Sequence, residues 1–235
     1  LIAIPLFVLA GAIMNTGGIS RRLIDFASAL LGFVRGGLAM VNVGTSLFFA
    51  EISGSAVADV AALGSILIPE MKRKGYPAPF AAAITSSSAS LAIIIPPSIP
   101  MILYAAMADT SVVQLFVAGI VPGIVGGLSM MALAWYFAVR YNFPVEQTFK
   151  LSRVWTTFKA ASLAFLLPLI ILGGIFGGFM TATEGAALAV LAALLISFRY
   201  GELRWKKLRA AMVEGGVQTA VVMLLVASSA LLGDF

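Results

Sequence analysis

The 235-residue chain has no cysteine and no histidine, and only 11% of its residues are charged. Without cysteine there are no disulfides, thiolate nucleophiles or thiolate metal sites. Without histidine there are no imidazole ligands and no imidazole acid–base catalysis. The shortage of charge excludes more. A soluble domain carries roughly 25% charged and 45–50% apolar residues, whereas 61% of this chain is hydrophobic. So few charges cannot clothe a surface in water, and the lipid bilayer must cover most of the outside. The formal net charge is +5, yet the basic residues form short clusters between apolar stretches rather than lining one face, which argues against nucleic acid. The chain opens at Leu1-Ile2-Ala3, without Met, and closes at Leu232-Gly233-Asp234-Phe235 just after an apolar run. It reads as an internal fragment of a longer polypeptide, all-α, with about seven hydrophobic helical segments in a polytopic membrane bundle.

All fifteen Lys and Arg residues fall in Arg21-Arg22, Arg35, Lys72-Arg73-Lys74, the stretch from Arg140 to Lys159 and the stretch from Arg199 to Arg209. Short basic loops stay in the cytoplasm. Residues 76–139 hold two spans, with Asp109-Thr110-Ser111 as the external turn. Residues 160–198 hold two more, turning at Thr181-Ala182-Thr183-Glu184-Gly185. Residues 1–17 reach Arg21 from outside, and 213–233 leave again, so every cluster can be cytoplasmic. Residues 18–35 and 199–214 read as amphipathic helices at the cytoplasmic surface, the second anchored by Trp205.

Residues 36–71 break this counting. The segment has basic residues at both ends and Ser53-Gly54-Ser55 near its middle. Each half of about 16 residues reaches about 24 Å, short of the ~30 Å hydrocarbon core. A re-entrant helical hairpin with its tip inside the membrane fits this length, and its hydroxyls and free backbone groups would line protein or a wet cavity. An ordinary helix pair with a polar external turn is the alternative.

A second irregularity follows. Thr85-Ser86-Ser87-Ser88 and Ser90 precede Ile93-Ile94-Ile95-Pro96-Pro97-Ser98-Ile99-Pro100. Three prolines within five residues remove three backbone donors and cannot sit in one regular helix. The helix therefore unwinds near the membrane centre, as in the broken helices that carry ion and substrate sites in transporters.

Acidic residues in apolar surroundings cost about 2.5–3.5 kcal/mol each on insertion scales. Glu51 and Asp59 flank the Ser-Gly-Ser tip, each four residues from Ser55, as structural caps or as cation ligands; the cap is the preferred reading for Asp59. Thr183 reads as a helix cap with Glu184 in the first turn, and Asp109 as another cap. The stripe Gly119/Gly123/Gly127 and the pairs Gly173/Gly177 and Gly174/Gly178 read as close-packing surfaces. An intramembrane hydrolase would need a basic partner for its serine, and no lysine lies in an expected span, so the chain is not read as an enzyme.

Several of these runs, in order, resemble the large membrane subunit of tripartite ATP-independent periplasmic (TRAP) transporters. They are Pro5-Leu6-Phe7-Val8-Leu9-Ala10-Gly11, Ile52-Ser53-Gly54-Ser55-Ala56-Val57-Ala58-Asp59, Gly64-Ser65-Ile66-Leu67-Ile68-Pro69, Ile94-Ile95-Pro96-Pro97-Ser98-Ile99-Pro100 and Thr181-Ala182-Thr183-Glu184-Gly185. The resemblance implies a sodium-coupled importer of organic acids such as C4-dicarboxylates, sialic acid or other sugar acids. Its expected partners are a small TRAP membrane subunit and a periplasmic substrate-binding protein, and its place is a bacterial or archaeal inner membrane. The implied fold is the elevator type with two inverted repeats. In that picture 1–35 is a scaffold helix with its cytoplasmic amphipathic helix. Residues 36–139 are the first hairpin, broken helix and following span, half of a transport domain. Residues 140–235 are a cytoplasmic loop and the start of the second repeat. Sodium is expected at Ser53, Gly54, Ser55, Ser88 and Ser90, with the substrate at Pro96, Pro97 and Ser98. Where the family has Gly-Pro before the Ile-Ile-Pro-Pro run this chain has Ala92-Ile93, and Ala182 stands where the family has proline. The alternative function is another sodium- or proton-coupled elevator-type anion carrier that works without a binding protein.

Overall fold

The computed structural model describes residues 2–145 and 148–233. Leu1, Asp234, Phe235 and, within the expected cytoplasmic loop, Glu146 and Gln147 lie outside the described residues. The architecture is all-helical: α1 Ala3–Thr16, α2 Ile19–Leu31, α3 Gly37–Ser53, α4 Ala56–Arg73, α5 Ala78–Ala89, a 3-10 turn Ser90–Ile93, α6 Ile99–Met107, α7 Val112–Arg140, α8 Leu151–Phe176, α9 Ala182–Arg199 and α10 Trp205–Gly233.

Among the described residues four helices are long and apolar enough to cross a membrane, namely α7, α8, α9 and residues 205–228 of α10. A fifth span arises if α1 and α2, bent by 69° at Gly17-Gly18, count together. This is fewer than the seven segments expected from apolar runs. The missing ones are α3, α4 and the α5–α6 pair: α3 and the α5–α6 pair are cut short, whereas α4, 18 residues like α9, carries Asp59, Glu70, Lys72 and Arg73. Gly54, at φ 59°, ends α3 in the left-handed region that glycine tolerates. The prolines end the 3-10 turn. At 1.5 Å per residue α3 covers about 26 Å, less than the hydrocarbon thickness.

Two surface-helix expectations fare differently. α2 is amphipathic, with Arg21 and Asp25 exposed and Ile19, Leu23, Ile24, Phe26 and Ala27 buried. Its apolar face is covered by α3 and α8 rather than by lipid alone, and Phe26 meets Phe165 edge-on at 5.2 Å between ring centroids. Residues 199–214, by contrast, do not form a separate surface helix. α10 runs unbroken from Trp205 through Gly215-Gly216, because neither glycine leaves right-handed helical geometry. Two caps also move. Thr183 is not the cap of α9: Thr181 is, in a capping box whose hydroxyl accepts from the Glu184 amide while Glu184 Oε2 accepts from the Thr181 amide at 2.7 Å. The reciprocal pair needs the acid three residues after the cap, which Thr183 cannot offer to Glu184. Ser111, not Asp109, caps α7.

The core sits where α1 crosses the bundle. Ile13, Met14, Leu23, Phe49, Leu63 and Leu167 join one buried cluster; Ile4, Phe7, Ile102, Phe116 and Ile171 join another. α7 reaches the broken helix along a glycine stripe. A Cβ on Gly119 would strike the Ile94 carbonyl oxygen, one on Gly123 would lie 2.5 Å from Ile95 Cγ1, and one on Gly127 2.6 Å from Leu47 Cδ2. The Gly173–Gly178 group serves a different purpose: nothing lies within 4 Å of a Cβ on Gly173 or Gly178, while Gly174 and Gly177 make room for Met180 and Phe179 of the turn that follows rather than for another helix.

Gly119→Ala therefore lowers the thermal stability of the full-length parent in detergent by about 1–3 kcal/mol. Gly173→Ala leaves it unchanged or raises it by up to about 1 kcal/mol through helix propensity. This chain contributes no cysteine of its own, so a reporter placed in it is the one thiol in this part of the protein. Lys72→Cys and Thr110→Cys are expected to react with an impermeant maleimide from opposite faces of the membrane.

Candidate functional site

α3 and α4 are joined by Gly54 and Ser55 alone, and this turn docks on the break between α5 and α6. The Ile99 amide donates to the Gly54 carbonyl at 3.1 Å. The approach is tight: a Cβ on Gly54 would lie 2.6 Å from the Pro97 carbonyl oxygen. The backbone here needs glycine twice, for its dihedral and for this contact. On the other side α1 passes so closely that a Cβ on Gly11 would stand 3.4 Å from Ser53 Cα.

Below the turn, Ser53 and Asp59 are fully buried. The Ser53 hydroxyl donates to Asp59 Oδ1 and accepts from the Ser55 amide at 3.2 Å, tying the end of α3 to the first turn of α4. Ser55 is the N-cap of α4, its hydroxyl accepting from the Ala58 amide at 3.4 Å. Asp59 Oδ2 has no hydrogen-bond partner, and no Lys or Arg pairs with Asp59 among the described residues. A buried carboxylate oxygen without a donor is expensive in protein and more so in lipid. It is the group in this region best suited to meet a small cation. Glu51 sits half-buried in the last turn of α3, and the left-handed Gly54 destroys the helical spacing that would have set it beside Ser55.

The break is satisfied from within. Ser98 is buried, donates its hydroxyl to the Ile93 carbonyl at 2.6 Å and caps α6 by accepting from the Met101 amide. With Ile99 bonded to Gly54 and Pro100 lacking an N–H, the first turn of α6 has no donor left for a ligand. Pro96 and Pro97 are buried too. None of Pro96, Pro97 and Ser98 lines the cavity of about 590 Å³ that opens beside the turn. Its walls are Gly54, Ser55, Ala56 and Val57 on one side, Ile99 and Leu103 of α6 on another, and Val217, Gln218 and Val221 of α10 opposite. Ala56 and Val57 are the first two residues of α4, whose amides a helix leaves without intrahelical acceptors.

The serine cluster divides. Ser90 is only half-buried, and its hydroxyl donates to the Ser87 carbonyl at 2.6 Å. Ser88 is buried in a separate network: it donates to Asn42 Oδ1 at 3.1 Å and accepts from the Ser46 hydroxyl at 2.9 Å. Asn42 Nδ2 in turn donates to Thr85 Oγ1 at 2.7 Å. Ser46 is seven residues before Ser53 on α3, about 10 Å along the helix, so Ser88 and the Ser53–Ser55 turn do not share one set of contacts. Asn42 and Ser46 were not picked out from the sequence. Their four-residue spacing, matched by Thr85 and Ser88 three apart, is the signal that pairs two helix faces.

Asn42→Ala, which strands these hydroxyls in a dry interior, is expected to cost about 1–3 kcal/mol. Combined with Ser88→Ala the loss falls short of the sum, read as a thermal-unfolding double-mutant cycle.

With this geometry in hand, comparison with known proteins is specific. The family described as tripartite ATP-independent periplasmic transporter, DctM component, matches residues 1–235. The chain is 44% identical, over 98% of its length, to the C4-dicarboxylate TRAP transporter large permease protein DctM of Pseudomonas aeruginosa, covering 54% of that protein. It is 41% identical over 97% of its length to the 2,3-diketo-L-gulonate TRAP transporter large permease protein YiaN of Escherichia coli, covering 54% of it. It is 38% identical over its whole length to the sialic acid TRAP transporter permease protein SiaT of Haemophilus influenzae, covering 38% of it. The chain thus spans about half the length of the large permeases it matches. A multi-pass membrane protein whose relatives are permeases rather than enzymes, this chain belongs to the DctM family of TRAP transporter large permease subunits.

Proposed function

We propose that the protein containing this chain imports an organic acid, of the C4-dicarboxylate, sialic acid or sugar-acid class, coupled to sodium entry. A periplasmic binding protein delivers the acid, and a small membrane subunit completes the assembly. The observation that carries the reading is the buried, partnerless Asp59 Oδ2 beside Ser53, at a turn locked onto a broken helix. In this reading α3 and α4 form a re-entrant hairpin, favoured by the shortness of α3 and by the charges that α4 carries, Asp59, Glu70, Lys72 and Arg73. Sodium, as co-substrate, is held by Asp59 with hydroxyl and carbonyl oxygens of Ser53, Gly54 and Ser55. Ser88 and Ser90 are left out of this ligand set, because Ser88 joins α5 to α3 through Asn42 and Ser46 and the Ser90 hydroxyl bonds to the Ser87 carbonyl of its own helix.

The acid enters the cavity at the start of α4. The amides of Ala56 and Val57 and the positive end of the helix receive its carboxylate, and the apolar wall of α10 fits the rest. Among the described residues no Lys or Arg lines that cavity, so the helix end is the positive element they offer there. Ion and acid then occupy the two sides of one turn, which makes their binding mutually dependent. The unit of 36–139 moves as a transport domain against a scaffold that includes 1–35 and 140–235, in a bacterial or archaeal inner membrane.

The test is sodium-gradient-driven uptake in proteoliposomes containing the full-length parent and its partners, with Ser53→Ala and Ser55→Ala compared to wild type. Both variants are expected to lose some thermal stability, Ser53→Ala through the lost bond to Asp59 and Ser55→Ala through the lost cap of α4. In their folded form both are expected to need roughly tenfold more sodium for half-maximal uptake, the effect of losing one oxygen interaction of about 1.4 kcal/mol. Uptake that never depends on sodium removes sodium coupling. Unchanged sodium dependence in folded variants returns the turn to a purely structural role.

A further inference from the structure

Folding joins two basic segments that are far apart in the chain. The start of α2 lies against the link between α9 and α10. The Arg22 guanidinium stands 3.7 Å from the centroid of the Tyr200 ring and donates to the Gly18 carbonyl at 2.9 Å. A Cβ on Gly18 would lie 3.0 Å from Glu202 Cδ. Arg21 and Arg22 thereby join the five basic residues between Arg199 and Arg209. Glu202 is engaged by Lys207 at 3.3 Å, and among the described residues Lys206 and Arg209 have no ion-pair partner.

Lys206 and Arg209 are three residues apart, on one face of α10. Both are exposed, and with Ala210, Val213 and Glu214 they rim a shallow concavity of about 620 Å³. Glu214 lies a turn deeper, where its carboxylate accepts from Gln218 Nε2 at 3.5 Å. Beyond it the same face continues as an exposed apolar stripe of Val213, Val217, Ala220 and Leu224. Trp205, 77% exposed, stands beside the two cations, the position of an interfacial ring.

Two unpaired cations at the head of a straight apolar stripe match an amphiphile with an acidic head and a long tail. We propose that Lys206 and Arg209 seat the phosphate of an anionic phospholipid whose acyl chain lies along Val213, Ala220 and Leu224, beside the edge of α10 that faces the cavity. A protein partner would need relief on its surface to match, whereas a flexible chain needs only an apolar track. The charge pair selects for net negative headgroups over zwitterionic ones, since a choline shields the phosphate it accompanies.

The experiment equilibrates the full-length parent with its partner subunits in detergent with phosphatidylglycerol or phosphatidylcholine and measures retained lipid by native mass spectrometry. The double variant Lys206→Gln with Arg209→Gln is compared with Lys150→Gln plus Arg153→Gln, an equal loss of charge elsewhere. Phosphatidylglycerol retention is expected to fall roughly tenfold in the first variant and to hold in the second. Equal losses in both variants, no loss in either, or equal retention of both lipids by wild type overturns the seat. Should the first variant not fold, the wild-type protein decides. Raising salt to about 0.5 M, where the Debye length is only about 4 Å, is expected to erase the preference for phosphatidylglycerol. A preference that survives salt refutes the proposal.

Discussion

In a protein interior without water a backbone that leaves its helix must find every hydrogen bond within the protein, and the structure around the buried Gly54 and Ile99 follows from that demand. Three prolines break the α5–α6 path, and the broken ends are repaired by the Ser98 hydroxyl on the Ile93 carbonyl and by the Gly54 carbonyl on the Ile99 amide. The second bond comes from a different helix pair, so the break can exist only with the turn of α3 and α4 lodged against it. That requirement fixes the glycine at position 54. It also calls for a smooth α7, whose glycines leave room for Ile94 and Ile95.

The same medium makes each buried polar side chain a commitment. Asn42, Ser46, Thr85 and Ser88 meet one another, and a satisfied network of this kind binds α3 to α5 in one register. Asp59 differs, with one oxygen held by Ser53 and the other bare; among the described residues the hydroxyls of Ser20, Thr45 and Ser197 are also buried without a hydrogen-bond partner, but Asp59 is the one carboxylate among these. A network that closes on itself holds helices together, whereas an open carboxylate oxygen leaves one group able to take a further partner.

The break at Pro96-Pro97, the turn at Ser53-Gly54-Ser55 and the long spans α7 to α9 were all legible in the chain, because each depends on local covalent facts or on length. Residues related through space were not. Ser88 and Ser90 look alike within Thr85-Ser86-Ser87-Ser88-Ala89-Ser90, yet one faces α3 and the other its own chain. Asn42 is a single polar residue in an apolar helix, and nothing local says which helix face it meets. The cap of α9 shifted from Thr183 to Thr181 because two threonines offered themselves, and reciprocal bonding with Glu184 chose between them.

The amino-acid sequence by itself determined the medium, the helical class, the place where a helix must break and the residue types at the turn. Hydropathy, proline and glycine act within a few residues, and no folding is needed to read them. The tertiary structure alone decided that the turn meets the break, that Ser98 is spent on its own backbone while Asp59 Oδ2 is left bare, and that Arg22 comes to lie over Tyr200. Those outcomes depend on which helix faces pack together, a choice set by summed burial over the whole bundle rather than by any one segment.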